Sequence, residues 1–319
     1  MTNKQRYTEW VEHQEYVPIN LMPWWMDAVC AGKEWDVLLA EDEHGNILGA
    51  MPYLLRKRAW HSYIIMPQMT HIGGIWVAAD ITADRWKTAE VCRQLKEQLD
   101  KLGLAYYYQQ YLPGSLCVEA MEALGFSTRE RVTYRVEDLS DVDALIATFS
   151  KNKRRQLQKA QNLHAERTME GEEFYRFHAQ CLASRKRKCA YSREFLLVLE
   201  RKARRHGQCA IVSIHNAEGQ VYAAAFLVWD KHNLYYLIPA LDYAFNDSGA
   251  GALLALEAMK MAREKHVHFD FEGSMDKGIA EHYKQFGSTE TRYYAVEKYY
   301  NPFFRIFIWL QKLREWCFR

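Results

Sequence analysis

The chain has 319 residues, of which 49% are hydrophobic and 14% aromatic, and its formal net charge is +2. This is an ordinary soluble globular composition, and the length predicts about two domains whose cores need no disulfide or metal support. The 7 cysteines are odd in number, scattered and never arranged as a CxxC pair, so we expect neither a disulfide framework nor a metal site.

The beginning of the chain, Met-Thr-Asn-Lys-Gln-Arg-Tyr, is polar and lacks the apolar core of a secretory signal. No apolar stretch reaches the ~18 residues that a membrane-spanning helix needs. We therefore expect a cytoplasmic protein.

The first half alternates strand and helix patterns. A short helix is predicted to open at Pro23, and residues 36–53 read as a β-hairpin around a turn that ends in Gly45. Residues 82–102 have the apolar spacing of an amphipathic helix. A strand over 104–111 and a short helix ending near Phe126 complete the series.

The second half repeats this order. Residues 210–227 read as a second hairpin, with a turn that ends in Gly219. A long helix over 251–266, a strand over 267–272 and a short helix over 278–286 follow it. The repetition predicts a duplicated unit of roughly 170 residues, and hence an α/β fold in which mixed β-sheets are flanked by helices.

Positive charge is concentrated at the start of the second half. Residues 151–205 contain 16 Lys and Arg against 6 Asp and Glu, a balance that attracts a nucleotide, a phosphorylated substrate or an RNA. Lys153, Arg154 and Arg155 are predicted to form a phosphate-binding surface. The alternative is that these residues are a solvated helix face.

The last segment, 301–319, is rich in Phe, Trp and Ile, and it carries Arg305, Lys312, Arg314 and Arg319. A basic, aromatic amphipathic helix of this kind can lie on a membrane surface. The alternatives are that it docks on its own domain or closes a dimer.

A glycine-containing loop precedes the long helix of the second half. It reads Asn246-Asp-Ser-Gly-Ala-Gly251 and follows a predicted strand. Glycines let the backbone approach a pyrophosphate, and the free N–H groups and dipole of a helix N-terminus favour an anion. The alternative is an ordinary N-cap made by Asp247 or Ser248.

This loop resembles the Gln/Arg-x-x-Gly-x-Gly/Ala loop with which GNAT acyltransferases hold the coenzyme A pyrophosphate, although Asn246 departs from that pattern. Three further segments resemble the Fem-like branch, whose members contain two GNAT units: the basic stretch 150–160, the strand end 268–274 and the helix 282–288. The first half has no comparable loop.

The resemblance implies two GNAT-like units in tandem: a degenerate domain at 1–140, an acyltransferase domain at 141–300 and an aromatic tail at 301–319. A groove between the units would then hold the acceptor. Backbone N–H groups near 238–241 would polarise the acyl carbonyl. The implied cofactor-binding residues are Asn246, Ser248, Gly249, Ala250 and Gly251, and a bulky residue at Gly249 is expected to abolish donor binding while leaving the fold intact.

Catalytic roles follow from the same resemblance. Glu272 is the candidate base, unless it and Asp270 merely cap the turn after their strand. Lys284 would place a positive charge near the reaction centre, unless it is an exposed helix lysine. Arg185 and Tyr191 would contact the acceptor, and Lys153 and Arg154 would bind substrate phosphate.

The implied reaction is transfer of an acyl group, most simply acetyl from acetyl-coenzyme A or another acyl-CoA, to an amine. The acceptor would be a small molecule or a peptidoglycan precursor. One alternative is a Fem-type aminoacyltransferase that uses aminoacyl-tRNA, and another is a non-catalytic binding protein that kept the fold. The oligomeric state is left open.

Overall fold

The computed structural model describes residues 1–30, 35–58, 60–273 and 275–306, which form two compact units. Unit 1 comprises Met1–Arg131 together with the segment from Arg292 onward, and unit 2 comprises Val132–Thr291. Unit 2 is therefore inserted in the sequence of unit 1.

The helices are α1 (Asn3–Glu12), α2 (Pro23–Val29), α3 (Arg85–Lys101), α4 (Cys117–Ala123), α5 (Val142–Thr148), α6 (Lys151–Lys159), α7 (Gly171–Ser184), α8 (Arg193–Arg205), α9 (Ala250–Glu264) and α10 (Lys277–Lys284). The strands are β1 (Trp35–Glu41), β2 (Ile47–Arg58), β3 (His61–Ile64), β4 (Trp76–Val77), β5 (Leu104–Tyr111), β6 (Ser127–Val136), β7 (His164–Glu166), β8 (Cys209–His215), β9 (Val221–Trp229), β10 (Asn233–Leu241), β11 (His268–Asp270) and β12 (Thr289–Tyr299). The predicted alternation of strands and helices is confirmed.

The sheet of unit 1 has the strand order β1–β2–β3–β5–β12, with β4 paired to β2. All neighbours are antiparallel except β3 and β5. Helix α3 presents its buried residues Val91, Cys92, Leu95 and Leu99 to the core. The helical spacing predicted Cys92, Leu95 and Leu99 on this face, but it also predicted Ala89, which is exposed. The N-cap of α3 is Asp84, whose carboxylate accepts the N–H groups of Trp86 and Lys87.

The sheet of unit 2 has the order β6–β11–β10–β9–β8–β7, and β10 and β11 are its parallel pair. Helix α9 covers one face, packing with Ala223 and Ala225 of β9 in the core. Helix α7 covers the other face, where the ring of Phe174 lies 6.3 Å from that of Phe226. Successive side chains of β9 point to opposite faces of the sheet, so Ala223 and Ala225 face α9 whereas Phe226 faces α7.

The two predicted hairpins close in the same way. Asp42 and Asn216 occupy equivalent turn positions, where the side-chain Oδ1 of each accepts a backbone N–H four residues later at 2.8 Å. Each pairing also shifts register at the turn end of its first strand. These shared irregularities support the duplication more strongly than the shared strand order does.

The helical turn at 302–306 belongs to unit 1. Phe304 is buried against Tyr63 and Tyr106, with ring centroids 5.3 Å and 6.2 Å apart. The remainder of the predicted aromatic tail, 307–319, lies outside the described residues. Within the described ranges, no helix combines the length and apolar character needed to cross a bilayer.

Gly249 begins α9 with a positive φ of 84° and is packed against helix α6. A Cβ atom there would lie 2.0 Å from the backbone oxygen of Gln156. The glycine thus permits a close approach between two helices of unit 2. The expectation that a bulky residue at Gly249 leaves the fold intact is therefore wrong, because such a residue would push α6 and α9 apart.

Lys153 lies inside unit 2, with 3% of its surface exposed. Its Nζ is 3.2 Å from Nδ1 of His282 and 3.2 Å from Oε1 of Gln156, and it lies 4.7 Å from the centre of the Phe286 ring. Burial lowers the pKa of Lys153 to about 8. The predicted surface position of Lys153 is wrong, because α6 turns this residue toward α10.

We expect Gly249→Ala to destabilise the protein well beyond the strain of a non-glycine residue at positive φ. Gly219→Ala is the matched control, since Gly219 has a φ of 78° and no atom within 4 Å of its added Cβ. That control should lower the free energy of unfolding by about 1–2 kcal/mol. Gly249→Ala should lower it by at least about 2 kcal/mol more, as measured by urea unfolding. Equal losses would contradict the close packing of α6 on Gly249.

Lys153 should make the stability of unit 2 depend on pH. Below about pH 8 the lysine is protonated in both states, and burial of its charge opposes folding. Above that pH the folded state loses the proton before the unfolded state does, so the free energy of unfolding rises, by about 2 kcal/mol between about pH 7 and pH 9.5. Lys153→Met should abolish this rise, whereas the exposed Lys151→Met should retain it in urea unfolding. The same rise in both variants would disprove the assignment.

Candidate functional site

A cleft opens in the sheet of unit 2 where β10 and β11 part. Their parallel pairing covers three positions and ends at Tyr235 and Asp270. Strand β10 continues to Leu241, with an extra residue between Tyr235 and Ile238 relative to β9. Such a bulge turns the strand and strengthens its local twist. The edge of β10 from Tyr236 onward therefore has no ladder partner on the β11 side within the described part of the chain.

Asp270 fixes the end of β11. Its carboxylate accepts hydrogen bonds from the Thr133 hydroxyl, from Nε of Arg135 at 2.7 Å and from the backbone N–H of Glu272 at 2.8 Å. Asp270 is 3% exposed, so these donors replace the water that its charge loses on burial. Asp270 thus has the alternative role predicted for it, that of a cap for the turn that follows its strand.

Glu272 lies just beyond the strand in an unusual backbone conformation. Its φ is 60°, and that of Gly273 is 71°, so the strand predicted to reach Glu272 ends two residues earlier. A Cβ at Gly273 would lie 2.3 Å from the backbone oxygen of Val132, which shows how tightly the chain turns past β6. Glu272 is buried. Burial, together with the nearby Glu272 and Asp270 carboxylates, raises the pKa of the neighbouring Tyr283 to about 12.

The predicted cofactor loop joins β10 to α9. It contains a 3-10 turn at Tyr243–Phe245, and Asn246 is exposed beyond it. The Ser248 hydroxyl donates to the Phe245 carbonyl at 2.6 Å and accepts the Ala250 N–H at 3.1 Å. Gly249 at the N-cap provides no side chain. The helix therefore begins without a carboxylate cap, in contrast to α3 and its Asp84.

The segment between α7 and α8 approaches the same loop. The guanidinium of Arg185 lies 5.8 Å from the Tyr243 ring centre. Tyr191 is buried, and its hydroxyl is 2.5 Å from Nδ1 of His178. Burial lowers the pKa of His178 and raises that of Tyr191. The fold thus brings both predicted acceptor residues to the α7 side of β10, with Arg185 at the surface and Tyr191 beneath it.

Lys284 and Arg154 occupy more exposed positions. Lys284 is half-exposed on α10, with its Nζ 3.5 Å from Glu281 and 3.9 Å from Glu290. Arg154 lines a surface groove of about 680 Å³ together with Lys151 and Arg155. The predicted site residues therefore do not converge on one point: the loop and Arg185 meet, Glu272 lies across the cleft, and Lys284 is paired with carboxylates.

Sequence reasoning missed two histidines. His178 is not among the predicted site residues because its spacing does not suit a metal, and His282 entered only as part of the helix 282–288. The described residues contain no group of three metal-ligating side chains. His178 nevertheless follows Phe174 by four residues and precedes Cys181 by three. This spacing places all three on one helix face, and it could have predicted that His178 faces the sheet.

The comparisons with known proteins agree with this geometry. The acetyltransferase (GNAT) domain matches residues 125–285, half of the chain. The structure of FemX aligns with 96% of this chain and 98% of its own, with a TM-score of 0.72 and 13% sequence identity. L-PGS from Bacillus licheniformis aligns over 97% and 96%, with a TM-score of 0.60 and 11% identity.

A tandem GNAT protein from the clavulanic acid biosynthesis pathway aligns with 93% of this chain and 94% of its own, with a TM-score of 0.57 and 12% identity. No curated protein sequence matches the chain. At these identities the structural neighbours show the fold, and they confirm the tandem arrangement predicted for it. The chain belongs to the GNAT acetyltransferase family, and it is an acyltransferase built from two GNAT-like units.

Proposed function

We propose that this protein is an N-acyltransferase that moves an acyl group, most simply acetyl, from acyl-CoA to an amine. The acceptor class is a small molecule or a peptidoglycan precursor. Unit 2 would carry the donor site, with the pyrophosphate at Asn246–Gly251 and the thioester arm along the open edge of β10.

The observation that carries this proposal is the early end of the β10–β11 pairing beside a helix that begins without a carboxylate cap. Within 238–241, Pro239 has no N–H. The Asp242 N–H donates to Tyr222 next to β9, so strand alternation turns the Leu241 N–H toward the open edge, where it can meet an acyl oxygen. The N-terminus of α9 offers further N–H groups and a favourable dipole to a pyrophosphate. In unit 1, the Asp84 carboxylate already accepts two N–H groups at the start of α3, and its negative charge would repel an anion.

The chemistry requires an uncharged amine and a stabilised oxyanion. The amine nitrogen forms the new C–N bond to the carbonyl carbon, the C–S bond breaks, and coenzyme A leaves as a thiolate that takes up a proton. The proton lost by the amine would pass to the Glu272 carboxylate, directly or through water. The Leu241 N–H on the open edge of β10 would hold the oxyanion.

A second candidate donor is aminoacyl-tRNA. The groove lined by Lys151, Arg154 and Arg155 suits a polyanion larger than coenzyme A. Lys159 also donates to the backbone oxygen of Asp247 at 3.3 Å, so α6 and its positive charge stand directly beside the donor loop. The likeness in fold to FemX and L-PGS keeps this candidate open.

Gly251→Asp should abolish binding of acetyl-CoA without loss of stability. Its Cβ would meet only Leu241, at an ordinary 3.6 Å, and a carboxylate in the first turn of a helix favours the helix while repelling a pyrophosphate. For the wild type, acetyl-CoA at about 100 times its dissociation constant should add roughly 2.7 kcal/mol of stability, seen as a shift in Tm.

Gly251→Ala is the matched control and should keep most of that shift. Glu272→Gln should also keep it while slowing transfer to the amine, because it alters proton removal and not donor binding. If millimolar acetyl-CoA leaves the Tm of the wild type unchanged, the acyl-CoA proposal is rejected. If Gly251→Asp shows the same Tm shift as the wild type, acetyl-CoA binds at a site other than this loop.

If aminoacyl-tRNA is the donor, Arg154→Glu/Arg155→Glu should weaken tRNA binding and flatten its dependence on salt. The slope of log affinity against log salt should become shallower by about 0.7–0.9 for each phosphate that the protein no longer neutralises. Arg201→Glu/Arg205→Glu makes the same charge change on α8, where both residues are exposed, and should have the smaller effect. A salt-independent affinity for tRNA would argue against this donor.

A further inference from the structure

Exposed apolar side chains gather at the β2–β3 connection of unit 1 and at the helical turn 302–306. Trp60 is 88% exposed, Phe303 77% and Ile306 57%. The Trp60 ring lies 6.2 Å from that of His61, and His61 lies 5.3 Å from Phe304. The two segments therefore meet through His61 and the buried Phe304. Large exposed apolar side chains that adjoin one another mark an interaction surface.

Arginines lie on the same side of the sheet. The pairing of β2 with β3 places Arg58 opposite His61 and Arg56 opposite Tyr63, and cross-strand partners point to the same face. That is the face on which Phe304 packs, since Phe304 contacts both His61 and Tyr63. We name Arg56, Arg58, Trp60, Phe303, Arg305 and Ile306 the aromatic–basic patch.

Acidic residues are few around the patch, and one of them, Glu297, accepts the hydroxyl of Tyr106, on which Phe304 packs. Residues 54–67 and 301–306 contain no Asp or Glu. Arg56, Lys57 and Arg58 also line a neighbouring groove of about 570 Å³, whose one carboxylate is Asp36. The surface thus combines a solvent-exposed tryptophan and two further apolar side chains with a concentrated positive charge.

We propose that the aromatic–basic patch docks this protein on an anionic lipid bilayer. Tryptophan favours the boundary between lipid headgroups and acyl chains, and arginine is attracted to the negative potential of anionic lipids. The sequence beyond Ile306 continues the same composition, with Trp309, Lys312, Arg314, Trp316 and Arg319 against the one acidic residue Glu315.

Charge favours a lipid partner over a second copy of the chain. In a two-fold dimer the same patch occurs on both sides of the interface, so the arginines of one copy would meet the arginines of the other. An anionic bilayer instead supplies the opposite charge and an apolar layer for Trp60 and Phe303.

The test is co-sedimentation of the full chain with vesicles of phosphatidylcholine, alone or mixed with phosphatidylglycerol. We expect binding to the mixed vesicles that falls as salt is raised. Trp60→Ser/Phe303→Ser should weaken binding at least about tenfold, because less apolar surface is buried in the bilayer. Arg305→Glu should weaken it roughly fivefold or more.

Trp86→Ser and Lys87→Glu are the matched controls. Trp86 on α3 is 87% exposed, almost as much as Trp60, and Lys87 beside it is exposed as well. Both changes should leave vesicle binding unaltered. Thermal unfolding of every variant would separate loss of binding from loss of fold, and none of these readouts depends on transferase activity.

Three outcomes would overturn the proposal. The first is absence of binding to the mixed vesicles, and the second is equal binding to phosphatidylcholine alone. The third is an equal loss in the α3 controls, which would place the lipid contact elsewhere. Alternatively, the protein fails to bind vesicles while its own mass in solution rises with protein concentration. If Trp60→Ser/Phe303→Ser then lowers that mass, the patch is a self-association surface.

Discussion

The buried carboxylate of Asp270 organises the edge of unit 2 at which β10 and β11 part. By accepting from Thr133 and Arg135 of β6 and from the N–H of Glu272, it ends β11 after three residues and holds the following turn against β6. Because β11 ends there, β10 keeps an open edge. Removing Arg135 would leave the buried charge of Asp270 without its ionic partner, so the end of β11 and the position of Glu272 depend on one electrostatic arrangement.

The two units differ at the start of the helix that follows each hairpin. Both keep the hairpin with its turn hydrogen bonds and the helix that follows, but the helix starts differ. The Asp84 carboxylate accepts two N–H groups of α3, whereas at α9 Gly249 has no side chain and the Ser248 hydroxyl accepts a single N–H. A negative charge thus stands at the start of α3 and not at the start of α9. Packing against α6 then requires Gly249 to remain glycine, whatever its role toward a ligand.

Local patterns predicted the elements well. The hairpins, α3, α9 and α10 lie close to where periodicity and turn residues placed them, because each is defined by residues near in sequence. Lys153 was predicted at the surface because a charged residue in a basic segment is usually solvated. Its burial depends on His282 of the distant helix α10 and on Phe286 in the turn after that helix. The end of β11 was missed for the same reason, since Arg135 and Thr133 lie more than a hundred residues away.

The insertion of unit 2 into unit 1 has a consequence for synthesis on the ribosome. Unit 2 is continuous in sequence and can complete its sheet as soon as it emerges. Unit 1 must wait, because β5 receives its partner β12 only when residues 294–299 arrive. Until then the tyrosine-rich strand Leu104–Tyr111 has an open edge, which invites pairing with other chains. The nascent protein is therefore most exposed to aggregation while its second unit is being made.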